Sequence, residues 1–111
     1  MINKELERLC DIATESHTRI QQDFKYINPI VGVNQRMREE GLPADVMTID
    51  CLKSGKRIIL ILHDQQPGVV NYQFSFKDKD PDNKFEQIPF NELTVNKLYT
   101  WIKSYFSNTA N

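Results

Sequence analysis

Residues 57–63, with the sequence RIILILH, set five aliphatic side chains in a row between polar segments. A run this short is typical of a strand that is covered on both faces, because a helix of ordinary length would need a longer pattern. The preceding KSGK and the following QQPG are turn sequences, and Gly55 supplies a permissive backbone in the first of them. These residues predict a central strand with antiparallel neighbours.

The flanking segments supply those neighbours. VMTIDCL, which begins at Val46, alternates loosely, and VVNYQFSF, residues 69–76, alternates cleanly between apolar and polar side chains. FEQIPF, residues 85–90, is predicted to be an edge strand because Pro89 has no N–H to donate to a ladder. We therefore expect an antiparallel meander of three to four strands over residues 46–90.

Counting outward from the two turns gives a predicted register, in which Cys51 pairs with Ile58 and His63 pairs with Val70. This register sets polar residues of the third strand opposite aliphatic residues of the central strand. Two explanations remain open. Either the sheet is covered on both faces in different places, or a bulge shifts one hairpin by a residue.

The N-terminal segment carries apolar residues at spacings of three and four, which predicts a helix over residues 2–27. The helix is expected to end there because the residue before Pro29 is pushed away from helical dihedral angles. Residues 28–45 are predicted to form a loop with a short helical turn over residues 34–40.

The C-terminal segment predicts a second helix, over residues 91–106. Asn91 is its candidate N-cap, with Phe90 and Val95 in the positions of a hydrophobic staple. Its aromatic-rich stripe is expected to pack on the sheet. The order of elements is then helix, antiparallel strands, helix, which is an α+β fold.

Size and charge restrict the class of protein. A chain of 111 residues fits a single domain, 1–111, and its 14 basic and 15 acidic side chains leave a net charge of −1. Neither nucleic acid nor an acidic membrane is therefore expected as a partner. Charges interrupt the N-terminal segment where a signal peptide needs an apolar core, and no stretch approaches the roughly 18 apolar residues of a membrane span. We expect a cytoplasmic protein.

The two cysteines do not indicate a metal site or a disulfide framework. Cys10 and Cys51 lack the short spacings to other cysteines or histidines that zinc sites use. Cys51 and His63 are also a poor thiol–imidazole pair, because the predicted hairpin separates them by about 16 Å. We expect both cysteines to be core residues, and no metal or other cofactor is expected.

His63 and Asp64, at the end of the central strand, are the candidate catalytic residues. An imidazole beside a carboxylate can transfer protons near neutral pH. The alternative is structural: His63 would be a hydrogen-bonded residue at the rim of an apolar face, and Asp64 would cap the following turn.

Aromatic residues near the C-terminus are the candidate binding residues. Trp101 lies off the main buried stripe of the last helix, on the side of Lys97 and Tyr105, and Phe85 begins the expected edge strand. Tryptophan and tyrosine are enriched among the anchors of protein interfaces. These four residues therefore predict a surface for a protein partner or for self-association.

The chain resembles small bacterial proteins of the conserved hypothetical class, on its long N-terminal helix, the strands GKRIILILHD and VVNYQFSF, and the helix LTVNKLYTWIKSYF. Its element order is similar to that of the mitochondrial matrix acidic, complement-binding protein family, in which terminal helices flank a twisted antiparallel sheet. The resemblance implies a protein that binds several partners and has no catalytic residue set. The chain is shorter than members of that family and nearly neutral, so their acidic surface and ring-shaped trimer are not carried over.

Two functional hypotheses follow. The first is a non-enzymatic module that binds a protein partner, as a monomer or a homo-oligomer, through the edge strand and the last helix. The second is a small-ligand-binding protein or an enzyme that uses His63 and Asp64, with Tyr72 nearby.

Overall fold

A five-stranded antiparallel sheet forms the centre of the structure, a computed structural model that describes residues 4–81 and 83–107. Strands that follow one another in the chain are neighbours in the sheet. They are β1 (Pro29–Asn34), β2 (Ala44–Cys51), β3 (Lys56–His63), β4 (Val69–Phe76) and β5 (Glu86–Pro89). The predicted α+β fold is confirmed, but the sheet has five strands rather than three to four and begins at Pro29 rather than at residue 46.

Two long helices cover one face of this sheet. They are α1 (Lys4–Asp23) and α3 (Val95–Ser107), and a short α2 (Arg36–Glu39) follows β1. Both long helices pack into the main core with the aliphatic residues of β2, β3 and β4, so the predicted packing of the last helix on the sheet is confirmed. No helix in the described ranges is long and apolar enough to cross a membrane.

The central strand β3 is buried on both faces, as predicted. Ile58 and Leu60 are fully buried in the core beneath α1 and α3. Ile59 and Ile61 point to the other face, where they belong to a second and smaller apolar cluster. This double coverage explains why five aliphatic residues stand in a row.

The first helix ends at Asp23, so the predicted boundary at residue 27 is wrong; residues 2 and 3 lie outside the described part of the chain. The Phe24 N–H still donates to the Ile20 carbonyl at 2.7 Å, but the chain then turns, and the Ile27 N–H donates to the Phe24 carbonyl at 3.0 Å. Ile27 is nevertheless buried. The turn returns an apolar residue to the core at helical spacing, which is why the pattern continues past the end of the helix.

The segment 28–45 contains a strand that the sequence did not predict. β1 pairs along its whole length with β2, while the predicted helical turn is present as α2. Ile30 and Val33 are each 45% exposed. Because neither face of β1 is deeply buried beyond Pro29, the strand lacks the periodic burial on which a sequence pattern depends.

The observed register differs from the predicted one in both hairpins. Ile58 pairs with Ile49 on one side, two residues from the prediction, and with Phe74 on the other, one residue from it. The second shift places Asn71 and Gln73 on the face of Ile61 and Ile59, away from the long helices. The conflict in the predicted register therefore has a simple cause: the turn between β3 and β4 is one residue longer than QQPG.

The last helix is capped by Thr94 rather than by Asn91. Asn91 lies in a 3-10 turn over Phe90–Glu92, and α3 begins at Val95. The Lys97 backbone N–H donates to Thr94 Oγ1 at 3.1 Å, which is the hydrogen bond of an N-cap. The residues in the staple positions are Leu93 and Leu98, both fully buried.

Candidate functional site

An aromatic surface forms where α3 crosses the outer end of β4. We define it as Tyr72, Phe74 and Phe76 of β4 with Trp101 and Tyr105 of α3. Ring centroids lie 4.5 Å apart for Tyr72 and Trp101, 5.5 Å for Phe74 and Trp101, and 5.0 Å for Phe74 and Tyr105. The alternation of VVNYQFSF puts the three β4 rings on one face, and helical spacing of four brings Trp101 and Tyr105 above them.

Tyr105 is held in place from two directions. Its hydroxyl donates to the Ser75 carbonyl at 2.7 Å. Lys56 Nζ donates to the Tyr105 carbonyl at 3.1 Å and lies 5.0 Å from the centre of its ring. Burial raises the pKa of the Tyr105 phenol, so the group stays a neutral hydrogen-bond donor at physiological pH.

The β4 side of the aromatic surface remains open to solvent. Phe74 is 42% exposed and Phe76 is 41% exposed, although both face the side of the sheet that the helices cover. Trp101 and Tyr105 of α3 cover only part of the Phe74 ring. Single exposed apolar residues are ordinary, but two adjacent phenylalanines beside Trp101 make a contiguous patch.

The backbone beside this patch also lies at a sheet edge. β5 pairs with β4 only as far as Glu86 and Tyr72. The Lys77 N–H donates to the Gly55 carbonyl on the β3 side. Backbone groups alternate in direction along a strand, so the N–H and carbonyl of Phe74 and the N–H of Phe76 point to the opposite side, past the end of β5. The Phe76 carbonyl accepts from the Lys79 N–H at 3.3 Å in the following turn. A groove of about 730 Å³ runs along this edge and is lined by β4 residues 72–76 and by the following polar loop.

The structure brings together only some of the predicted binding residues. Trp101 and Tyr105 lie in the aromatic surface. Lys97 is exposed on the first turn of α3, one turn before Trp101. Phe85 lies on the other face of the sheet, packed against the cluster of Ile59 and Ile61. Phe85 and Trp101 therefore do not share one binding surface, because they pack on opposite faces of the sheet.

Sequence reasoning missed the two exposed phenylalanines. The alternation of VVNYQFSF correctly places Phe74 and Phe76 on one face of β4, but the predicted register paired Phe74 with Ile59 rather than with Ile58, its partner in the structure. Their exposure could have been inferred from the brevity of FEQIPF, which is too short to pair with the whole of β4. Their exposure depends on where β5 and α3 end.

His63 and Asp64 do not form a catalytic pair with Tyr72. His63 pairs with Ala44 at the end of β3 and borders a shallow depression with Gln65 and Gln66. Tyr72 pairs with Leu60 and so lies on the opposite face of the sheet from His63. The predicted grouping of these side chains is therefore wrong, because the β3–β4 register differs by one residue.

Asp64 is bound by an arginine instead of capping the turn. Arg38 Nη1 and Nη2 each donate to the Asp64 carboxylate at 2.8 Å, and the same guanidinium donates to Asp45 at 2.9 Å through Nε and again through Nη2. These hydrogen bonds lower the pKa of Asp64 and of Asp45. An ionised, arginine-bound carboxylate is a poor proton acceptor, so this arrangement favours a structural role.

The cysteines and the acidic residues supply no separate site. His63 pairs with Ala44 of β2, and Cys51 lies seven residues further along the same strand. At about 3.3 Å per residue, Cys51 and His63 are about 23 Å apart. Burial, followed by the charges of Asp11 and Glu7, raises the pKa of the Cys10 thiol, which opposes formation of a reactive thiolate. In residues 4–81 and 83–107, no group of three or more histidine, cysteine or acidic side chains is arranged to hold a metal ion.

Comparison of the chain with protein-family models, with curated proteins and with solved structures found no match. The resemblance to the mitochondrial matrix acidic, complement-binding protein family therefore stays a prediction. The function has to be argued from the aromatic surface and from the other features of this structure alone.

Proposed function

We propose that this chain is a non-enzymatic module that binds a protein partner through the aromatic surface. The observation that carries the proposal is the exposure of Phe74 and Phe76, 42% and 41%, beside the ordered rings of Trp101 and Tyr105. Covering such a patch removes apolar area from water, at about 25 cal/mol per Å² before the costs of association.

The order within the surface supports binding. Trp101 contacts both Tyr72 and Phe74, and the Tyr105 hydroxyl is fixed on the Ser75 carbonyl. Side chains that are already held in one conformation lose little entropy when a partner arrives. Tryptophan and tyrosine are also the residue types that contribute most to protein interfaces.

The adjacent sheet edge suggests how the partner binds. The N–H and carbonyl of Phe74 and the N–H of Phe76 face outward beyond the end of β5, whereas the Phe76 carbonyl accepts from the Lys79 N–H. A short extended segment could therefore add to β4 beside Phe74 as a further strand. The far side of the groove carries both signs of charge, from Lys79, Lys84 and Asp80. We therefore propose an extended partner segment whose alternate side chains are apolar and cover the two phenylalanines.

The proposed partner is a different protein. We propose that the chain and this partner meet in the cytoplasm, the location expected from the sequence. A second copy of the chain is the other occupant of the same surface. A homo-oligomer held there would have a molar mass that falls to that of the monomer when the two phenylalanines are replaced.

The test places a photo-cross-linking amino acid at Phe76, and at Leu42 as a control in a matched variant. Leu42 is 54% exposed and precedes β2 at the opposite end of the sheet, where Ala44 pairs with His63, whereas Phe76 pairs with Lys56. Illumination in native lysate, followed by mass spectrometry and light scattering, is expected to yield one dominant cross-linked partner from the Phe76 variant and none in common from the Leu42 variant. Replacement of Phe74 by Ser should abolish that cross-link. Identical products from both sites, or persistence of the cross-link in the Phe74→Ser variant, would overturn the proposal.

A further inference from the structure

The face of the sheet opposite α1 and α3 has a cavity of its own. Ala44, Ile59 and Ile61 are buried there, with Met37 of α2 and Phe85 packed against them. Between α2 and the loop that carries Phe85, a volume of about 390 Å³ remains open. This volume lies within the range of roughly 300–1,000 Å³ that is typical of small-molecule sites.

The floor of this cavity is formed by neighbouring β2 and β3 residues. Val46 pairs with Ile61 and Thr48 pairs with Ile59, so three aliphatic side chains and one threonine form its base. α2 closes one end. Arg57 lines the other end, four residues along β3 from Ile61, or about 13 Å at 3.3 Å per residue. The cavity is thus elongated and apolar along its base, with a guanidinium at one end.

Arg57 is oriented by a carboxylate beneath it. Its Nε donates to Asp50 Oδ1 at 2.6 Å and its Nη2 donates to Asp50 Oδ2 at 2.9 Å. Asp50 is buried, whereas the Arg57 side chain is 27% exposed. Asp50 occupies one edge of the planar guanidinium, which leaves the outer pair of donors, on Nη1 and Nη2, for a second acceptor. That fork geometry matches a carboxylate.

The opposite end of the cavity does not compete for an anion. Arg36 and Glu40 both line it there, and both residues are exposed, so their opposite charges largely cancel. At Arg57 the charge of the guanidinium is balanced by Asp50, and the charge of Asp78 also acts on it. A carboxylate at this end is therefore held by the two outer hydrogen bonds of the guanidinium rather than by net charge.

We propose that this cavity binds an amphipathic monocarboxylate, with the apolar body on Ile59 and Ile61 and the carboxylate on the outer donors of Arg57. The site is separate from the aromatic surface, which lies on the other face of the sheet. Its occupancy does not depend on the proposed protein partner.

Binding can be measured with simple probes. Decanoate, 2-naphthoate, decan-1-ol and decylamine are titrated, below their aggregation concentrations, into protein with labelled isoleucine methyl groups. We expect decanoate or 2-naphthoate to shift the Ile59 and Ile61 methyl signals and to leave that of Ile58, on the other face, unchanged. The two acids distinguish an aliphatic ligand from an aromatic one. Equal affinity for decanoate and decylamine, or no shift at Ile59 and Ile61 with either acid, would overturn the proposal.

Matched variants test the assigned residues. The double variant Asp50→Asn with Arg57→Gln keeps an uncharged pair in place and is expected to weaken carboxylate binding at least about ten-fold while leaving decan-1-ol unaffected. Thr48→Phe, which fills the cavity, should weaken all of the binding ligands. Arg19→Gln is the control, because Arg19 also pairs with a carboxylate but lies on α1. Unchanged carboxylate affinity in the folded double variant would exclude Arg57 as the anion site.

Discussion

The ring of Trp101 lies over the ring of Tyr72, with centroids 4.5 Å apart and planes inclined by 31°. The same indole meets Phe74 edge to face at 5.5 Å. Trp101 is only partly buried, so one of its sides belongs to the packing of α3 on β4 and another to the aromatic surface. A change at Trp101 is therefore expected to alter stability as well as binding, and the same holds for Phe74, whose ring contacts those of Trp101 and Tyr105. A change at Phe76, which is 41% exposed, is expected to alter binding with little effect on stability.

Trp101→Ala is expected to lower the free energy of unfolding by about 2–3 kcal/mol. The variant loses two aromatic contacts and leaves space between α3 and β4, but its partial exposure keeps the cost below that of a fully buried tryptophan. Urea denaturation followed by far-UV circular dichroism measures the change. Phe76→Ser serves as the comparison, because Phe76 is 41% exposed and its ring is in none of the ring-to-ring contacts of the described residues. It should cost no more than about 1 kcal/mol. Equal losses in the two variants would show that Trp101 has no special role in holding α3.

Arg38→Met is expected to lower the free energy of unfolding by about 2–3 kcal/mol. The carboxylate of Asp45 is 1% exposed, so removal of Arg38 takes away the cationic partner of a buried carboxylate, to which Gln35 Nε2 also donates. Arg19→Met is the matched control, since its ion pair with Glu15 is exposed on both sides and is worth under about 1 kcal/mol. A loss in Arg38→Met no larger than in the control would contradict the structural role of this ion pair.

The same ion pair predicts how stability changes in acid. Hydrogen bonds from Arg38 lower the pKa of Asp45 and of Asp64 below their usual value of 3.8. A carboxyl whose pKa is lower in the folded state stabilises the protein fully above its unfolded pKa, and this contribution is lost as the pH falls through the folded pKa. The stability difference between the wild type and Arg38→Met should therefore be constant at about pH 5 to 7 and shrink below about pH 4. Urea denaturation across this range measures it, and a difference that persists at about pH 2 would contradict the assignment.

Thr94→Ala is expected to destabilise the protein by about 1 kcal/mol, because it removes the acceptor for the Lys97 backbone N–H at the start of α3. Asn91→Ala should cost under about 0.5 kcal/mol, since Asn91 precedes the helix and is exposed. Thermal denaturation of both variants in one buffer compares them. A larger loss of stability in Asn91→Ala than in Thr94→Ala would show that Asn91 is the N-cap of α3.

The sequence identified the buried centre of the fold because the spacing of apolar side chains within each segment was enough to predict its burial. RIILILH has the length of a strand and no polar interruption, and β3 is indeed buried on both faces. VVNYQFSF alternates with period two, and in the structure Tyr72 and Phe74 lie on one face of β4 while Asn71 and Gln73 lie on the other. These features follow from the spacing of side chains along one element, so they do not depend on distant parts of the chain.

Other features depended on contacts between segments far apart in the sequence. β1 is a strand because β2 pairs with it, although most of its side chains remain exposed. The arrangement of the candidate site residues also depends on contacts between distant segments. Arg38 meets Asp64 across 26 residues, and Phe85 and Trp101 are separated by the thickness of the sheet.

By itself, the sequence determined which segments form the central strands and the two long helices, because hydrophobic periodicity reports the burial of each element. Only the tertiary structure decided the register, the exposure of Phe74 and Phe76, and the pairing of Asp64 with Arg38. A shift of one residue moves every side chain of a strand to the other face, and exposure at an edge depends on where the neighbouring strand ends. These quantities are set by turn length and packing between elements, which no single segment encodes.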